Sequence, residues 1–527
     1  MKKFLVHLKF LKSKTTPLLA VIVILAAFLR LYKIQDYMTF LGDEGRDVLV
    51  VYNILHGHLT LLGPTSSVGG FFLGPIYYYF MAPFLWFFNY NPVGPAVMVA
   101  LFGIATVWLI YIIGKDFFNT KVGLMAALIY AVSPLVITYS RSSWNPNPMP
   151  FFSLLTLYCL YKALNKNSLK LFFASGILFG VTMQLHYLAL FLGVIMIIYT
   201  FLSILCKEKN LRIFTKLLKN YLAIFLGFVL GWSPFLAFEI RHGFLDFKNI
   251  FNFVLFSGKT GASTNYFATI YDVFFRVFGR LVFYFPTPDH QYLYKPLLLL
   301  AWQVFVILFA VFACAIIFFK LYKAYRNKSQ DFDKYLLLAI WLAVGILLFG
   351  FYKKDIYDYY FAFMFPLPFL LIAESLGFIK GLKFLRLGRI LALALFIIVL
   401  ALNLDGTPFQ YEPNRQLNQA ETISKFVNDK TEGKSFNFAL IAGGNSDQAY
   451  RYFFTIWNHP PVTIENPSQD PQRKTVANQL LVVCESLPCQ PLGNSLWEIA
   501  GFGQADIVGH WQVSVVQVYK LIHYKGK

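Results

Sequence analysis

The residue types able to do chemistry are concentrated in six positions, Gly42-Asp43-Glu44-Gly45-Arg46-Asp47. Three carboxylates and one guanidinium so close together repel and lose hydration unless a cation, a substrate or a donor offsets the cost. A carboxylate held in that way, beside a group that orients it, can take the proton of an attacking hydroxyl or amine. Asp43 is the candidate base, with Glu44 assisting or positioning. The alternative is an ordinary charged turn, in which Asp43 or Asp47 caps a helix that starts at Val48.

What must position these residues is a membrane protein. The 527 residues are 57% hydrophobic, 19% aromatic and only 14% charged, and the mean hydropathy is +0.57. Soluble domains carry about 25% charged residues. The composition excludes a soluble, disordered, collagen-like or coiled-coil protein. The net charge of +20 reads as loop lysines and arginines that orient membrane helices, not as a nucleic-acid surface. Cys159, Cys206 and Cys314 lie in or beside apolar runs, as small core residues do. There is no Cys-x-x-Cys and no zinc spacing.

Apolar runs of about 20 residues are expected to span the bilayer. They fall near 17–32, 93–113, 122–139, 149–164, 170–185, 187–205, 220–238, 297–319, 335–351, 359–378 and 388–404, which makes about eleven spans. The N-terminus, with Lys2, Lys3, Lys9, Lys12 and Lys14, resembles the start of a signal peptide. No small-residue cleavage site follows before Arg30 and Lys33, so the first span is read as retained with a cytoplasmic N-terminus. The doubtful run is 71–88. Without it as a span, 24 lysines and arginines fall in cytoplasmic segments and 11 in outer ones before the tail. Counting it reverses every later loop against the positive-inside rule. The run, with Pro75 and Pro83, is therefore expected to be interfacial or re-entrant. This leaves outer loops 34–92 and 239–296, a transmembrane module 1–404, and an extracytoplasmic tail 405–527. The tail reads as a small α/β domain, with β-like runs at 437–441, 480–483 and 513–518 and a helix at 415–428. Cys484 and Cys489 in it form either a short disulfide or two free thiols.

The basic N-terminus, one span, and then Gly42–Asp47 resemble the membrane glycosyltransferases of the GT-C fold. The resemblance is in particular to the branch containing dolichyl-phosphate-mannose protein mannosyltransferases and the lipid A aminoarabinose transferase. Gly74-Pro75-Ile76-Tyr77-Tyr78-Tyr79 is similar to the Pro-Leu-Tyr-Tyr segment of that branch. Gly114-Lys115-Asp116-Phe117-Phe118 with 122–131 is similar to its cytoplasmic turn and small-residue span. Tyr359-Tyr360-Phe361 with Pro366 and Pro368 is similar to its Arg-Tyr-x-x-x-Pro region, with Tyr359 where Arg would stand. The likeness covers about 15–400. It implies that Asp43 and Glu44 supply the catalytic acid and that the attack inverts the anomeric carbon.

One departure concerns the second outer loop, Ser140-Arg141-Ser142-Ser143-Trp144-Asn145-Pro146-Asn147-Pro148. Family members often carry an Asp there. Asn cannot be a base and is a poorer cation ligand, so no metal is expected, a divalent cation being the alternative. Trp144, Asn145 and Asn147, with Asp47, are assigned to sugar or acceptor binding; a Pro/Asn turn is the structural alternative. His56 and His58 lack a placed third metal ligand.

A lipid-phosphate donor needs cations for the departing phosphate. The candidates are Arg46, Arg141, Arg276, Arg280, Lys353 and Lys354, with hydroxyl donors from Tyr357 and Tyr360. Asp272, Arg276 and Arg280 share one helix face at i, i+4 and i+8, which suits an amphipathic surface helix over 265–285. The alternatives are lipid headgroup contacts and an Asp272–Arg276 surface pair. Glu239 and Glu374 are acids at or near the membrane. The resulting reading is a plasma-membrane, multi-pass glycosyltransferase. It moves one hexosyl or pentosyl unit from a polyprenyl- or dolichyl-phosphate carrier to a lipid, glycan or protein acceptor on the outer face, without cofactor or nucleic acid. The rivals are a transporter or lipid flippase, and an oligosaccharyltransferase or glycan polymerase of the same fold.

Overall fold

The computed structural model describes residues 16–66, 70–207, 212–256, 258, 265–381, 385–524 and 526. The basic N-terminal lysines lie outside the described residues.

Every apolar run is helical. In order the helices are Thr16–Leu31, Val93–Phe117, Thr120–Val132 with Pro134–Tyr139, Met149–Lys166, Leu169–Leu185, Ala189–Lys207, Arg212–Gly231 with Ser233–Arg241, Pro296–Arg326, Phe332–Leu347, Asp358–Met364 with Pro366–Lys380, and Leu385–Asp405. Among the described residues six helices are long and apolar enough to cross a membrane, or seven if the pair bent by 63° at Phe365 is one span. The other runs are carried by shorter apolar helices, by broken pairs or, at 149–164, by the less apolar 18-residue helix Met149–Lys166. Proline accounts for two of the breaks. Ser133 is extended before Pro134, which disfavours helical backbone in the residue before it. Pro234, which has no N–H to continue the helix and is tolerated in a first turn, sits at the start of Ser233–Arg241 just after the break at Trp232. The seventh run thus ends at Gly231, short of the expected 238. Large apolar side chains line the outside of the bundle. On Arg212–Gly231 alone, Phe214, Leu218, Leu222, Phe225, Leu226 and Leu230 are exposed. In water such a stripe would aggregate; facing lipid it needs no partner. The chain is a polytopic α-helical membrane protein.

The run 71–88 forms one helix of 12 residues, Ile76–Phe87. At 1.5 Å per residue it is about 18 Å long, too short for a hydrocarbon core of about 30 Å. The expected amphipathic helix is present as Tyr266–Val282.

The tail is an α/β unit. Its sheet has the order β1-β2-β4-β3, with β1 Asn437–Ile441, β2 Gln479–Cys484, β3 Ala505–Val513 and β4 Val516–His523. β1 and β2 are parallel and the other pairs antiparallel. Helices Gln416–Lys430 and Gln448–Ile456 accompany it. The strand expected at 513–518 straddles the β3–β4 hairpin: Val513 ends β3, Val516–Val518 begin β4, and Ser514 and Val515 form the turn between them. Val513 pairs with Val516, and Ser514 takes the left-handed conformation (φ 52°) that a two-residue hairpin turn requires. Cys484 and Cys489 form a disulfide.

The tail docks on the first long loop of the bundle. Arg415 N–H donates to Asp36 O (2.9 Å), Phe40 N–H to Gln416 Oε1 (3.0 Å) and Gly42 N–H to Asn445 Oδ1 (2.9 Å). Three loops of widely separated sequence therefore meet at one end of the bundle.

Candidate active site

The acid cluster is the first turn of a helix, Gly42–Leu55, and not a turn before a helix at Val48. The helix dipole favours acids there. Glu44 Oε2 also accepts the Leu41 N–H (3.0 Å), an orphan donor of the helix start. The three acids have different surroundings. Asp43 leaves 60% of its side chain exposed, whereas Asp47 is fully buried. Arg46 lies between them, with Nη1 on Asp43 Oδ1 (2.9 Å) and Nη2 on Asp47 Oδ1 (2.8 Å). Tyr78 O–H donates to the same Asp47 oxygen (3.1 Å). Burial, followed by the nearby charges of Asp47 and Asp43, pushes the Glu44 carboxyl up to about 7. Burial pushes Asp47 up to about 6, against the lowering pull of Arg46 and Tyr78. Arg46 itself is held above its ordinary value by Asp47, Tyr78 and Asp43, which outweigh its own desolvation.

A cavity of about 470 Å³ opens at the head of this helix, lined by Thr39, Leu41–Glu44, Thr138, Tyr139, Ser142, Trp144, Asn147 and Gly444–Ser446. Of the residues singled out in the sequence, Asp43, Glu44, Trp144 and Asn147 reach it. The second loop is fixed to the first by Thr39 N–H on Ser142 Oγ (3.0 Å) and by the Tyr77 Oη–Ser143 Oγ hydrogen bond (2.8 Å). Trp144 packs on Tyr359 with ring centroids 4.3 Å apart.

Other predicted residues stand elsewhere. Arg141 is buried, and its guanidinium caps the first helix through Leu29 O (2.8 Å) and Tyr32 O (2.7 Å). Asn145 is buried and donates to Leu185 O (2.6 Å). Asn147 donates to Ser142 O (2.8 Å) and so shapes its own loop. Arg276 and Arg280 converge on one carboxylate, Asp358, at 2.6 and 2.8 Å, and Arg276 also takes Asp272 (3.0 Å). Tyr360 is buried among aromatic rings; Lys353, Lys354 and Tyr357 are exposed. Tyr139 links the two groups. It lines the cavity, packs on Phe365 with ring centroids 6.0 Å apart, and lies in the field of Asp358, Arg276 and Arg280. Among the described residues no group of three or more His, Cys, Asp or Glu is arranged to hold a metal ion. His56 instead bonds Tyr52 O (2.8 Å) at the end of the acid helix.

Sequence reasoning missed Asp358, Tyr139 and Asn445. Asp358 had a signal, since it lies between the noted Tyr357 and Tyr359-Tyr360. Asn445 had none, since it sits 403 residues from Gly42.

Residues 73–237 match the family model of dolichyl-phosphate-mannose-protein mannosyltransferase. No curated protein matches the sequence. Among solved structures the chain is similar to ArnT from Cupriavidus metallidurans bound to undecaprenyl phosphate, with TM-score 0.60 and 12% identity over 96% of this chain and 98% of that one. It is also similar to the oligosaccharyltransferase AglB from Archaeoglobus fulgidus, in complex with an inhibitory peptide and a dolichol-phosphate. There the TM-score is 0.53 at 13% identity, over 90% of this chain and 70% of that one. The chain has the GT-C fold.

Proposed function

We propose that the protein is a glycosyltransferase that moves a sugar from a polyprenyl- or dolichyl-phosphate to an acceptor hydroxyl or amine on the outer face of the membrane. The observation that carries this reading is the placement of Asp43. It is the exposed acid of the cluster, it is paired with Arg46, and it opens on a cavity walled by Trp144 and Asn147.

In the proposed reaction an Asp43 oxygen takes the acceptor proton as the acceptor heteroatom attacks the anomeric carbon. The bond from that carbon to the phosphate oxygen breaks, and its electrons leave with the lipid phosphate. The products are an inverted glycoside, the lipid phosphate and a protonated Asp43. Glu44, near neutral pH an acid that can hold or release a proton, keeps the Leu41 N–H, positions Asp43 and forms no bond to the substrate. Trp144 stacks on a sugar ring. The departing phosphate is received by Arg276 and Arg280, in exchange for part of their contact with Asp358, and by the exposed Lys353 and Lys354. The matches to structures that hold undecaprenyl phosphate and dolichol-phosphate support the donor class.

The test is transfer of labelled mannose, glucose or aminoarabinose from undecaprenyl or dolichyl phosphate to membranes of the producing cell. A positioned base contributes about 10²–10⁴-fold, so Asp43→Asn should lose that much turnover at unchanged melting temperature. Full activity of Asp43→Asn would refute the assignment.

A further inference from the structure

We propose that Asn445, in the C-terminal unit, is a positioning residue for the acid helix: its amide caps that helix from outside and fixes the direction in which Asp43 faces the cavity. The proposal rests on the reading of Asp43 as the base.

The first helical turn leaves donors that a side chain normally satisfies, and Ser, Thr, Asp or Asn is preferred just before the helix. Here that position is Leu41, which has no acceptor. The missing cap arrives from the tail. Asn445 Oδ1 accepts the Gly42 N–H (2.9 Å) and the Ser446 N–H (3.0 Å). The amide cannot turn away, because its Nδ2 donates to both oxygens of Glu485 (3.0 Å each). Glu485 is in turn held by Tyr450 O–H (2.6 Å), by its own N–H on Ile441 O (2.9 Å) and by its place beside Cys484 of the disulfide.

The two segments leave no room for a side chain at either glycine of the acid motif. A Cβ on Gly42 would lie 2.1 Å from Ser446 Oγ, and one on Gly45 would lie 2.3 Å from Ala449 N. The Gly42-x-x-Gly45 spacing inside the acid motif is thus explained by docking of the tail helix Gln448–Ile456. Asn445 also lines the active-site cavity and a neighbouring one of about 280 Å³ between the tail and the loop. A group one residue from Asp43, bonded on both sides, sets the geometry of the base without touching substrate through its spent amide.

The experiment uses the full chain in nanodiscs, with undecaprenyl-phosphate mannose as donor and cell membranes as acceptor. Misplacement of a reacting group by about 1 Å costs about 10²-fold. Asn445→Ala should therefore lower kcat by about that factor or somewhat less, leave donor KM unchanged, and speed hydrogen exchange of the amides at 42–47. Asn445→Asp sets a carboxylate against Glu485 and should do the same. Adding Glu485→Gln restores the bracket with donor and acceptor exchanged, so the double variant should recover both turnover and protection. Wild-type kcat in Asn445→Ala overturns the proposal, whether or not exchange speeds up. So does a double variant that folds but stays as slow as Asn445→Asp. If Asp43→Asn is active in the same assay, the base assignment fails instead, and the exchange data still read the cap.

Discussion

Arg276 and Asp358, 82 residues apart in sequence, meet at 2.6 Å with less than a tenth of the arginine side chain and a tenth of the carboxylate exposed. Arg280 reaches the same carboxylate at 2.8 Å. Two cations at neighbouring positions of one helix face would repel each other if left bare. Asp358 keeps them aligned, and an incoming phosphate can compete for a seat that is already shaped for an oxyanion.

Asp358→Ala should be destabilising, because it takes the shared carboxylate from Arg276 and Arg280 and leaves Arg276 only Asp272 and the Ile356 carbonyl. Removing one partner of a buried pair costs about 3–5 kcal/mol, and the partial exposure of Arg280 places this case at the low end. Asp358→Ala combined with Arg276→Ala should cost less than the two singles added. Chemical denaturation of the four proteins in one detergent measures the coupling; strict additivity would mean that the contact contributes nothing.

The same arginines give a functional prediction. Arg276→Ala and Arg280→Ala should raise donor KM more than acceptor KM. Unchanged donor KM in both variants would leave them a purely structural role in holding the segment that carries Tyr357–Tyr360.

Glu44 makes stability depend on pH. Its folded-state value, about 7, lies above its ordinary value of 4.5. The folded protein therefore binds the extra proton, and this contribution falls as pH rises from about 4.5 to about 7. Gln resembles the protonated side chain and can still accept the Leu41 N–H. Glu44→Gln should raise the melting temperature at pH 8 and leave it nearly unchanged at pH 4.5. Equal shifts at both pH values would mean that the carboxyl is not raised by burial.

The helices and the α/β tail were legible because periodicity and apolar length are local properties. Asp43 and Glu44 were legible because acids beside a membrane helix are conspicuous. Arg141 was not, since its type suggests a phosphate ligand while its task is to cap Leu29 and Tyr32 at the end of the first helix. The Asp358 pairing and the Asn445 cap depend on chain segments that meet only after folding. The run 513–518 reads as one strand because Val513, Val515 and Val516 carry high β propensity; pairing of Val513 with Val516 divides it between β3 and β4.

Topology is open to cysteine labelling in intact cells, and the charge count sets the expectation. Cysteines at Ser66 and Ser468 should react with an impermeant reagent, and one at Ser329 should not. The same holds for Ser263, expected to react, and Asn210, expected not to; both lie outside the described residues. Labelling at Ser329 would make 71–88 a span despite its 12-residue helix.

The seam between bundle and tail is tested most directly at Gly45. A methyl group there would meet backbone, Ala449 N at 2.3 Å and Ala449 Cα at 2.4 Å, and backbone cannot swing aside as a long side chain can. Gly45→Ala should therefore force the helix Gln448–Ile456 off the acid helix. Overpacking of this kind costs about 1–3 kcal/mol, to which the strained Gly42–Asn445 hydrogen bond adds. Gly443→Ala is the control, because its methyl would meet only Ser486 Oγ at 3.7 Å. Gly45→Ala should melt lower than the control and be cut faster by protease in the 406–415 connection. It should also lose turnover at unchanged donor KM, as a displaced base would. A Gly45→Ala protein as resistant, as stable and as active as the control would show that the tail rests on the acid helix without constraining it.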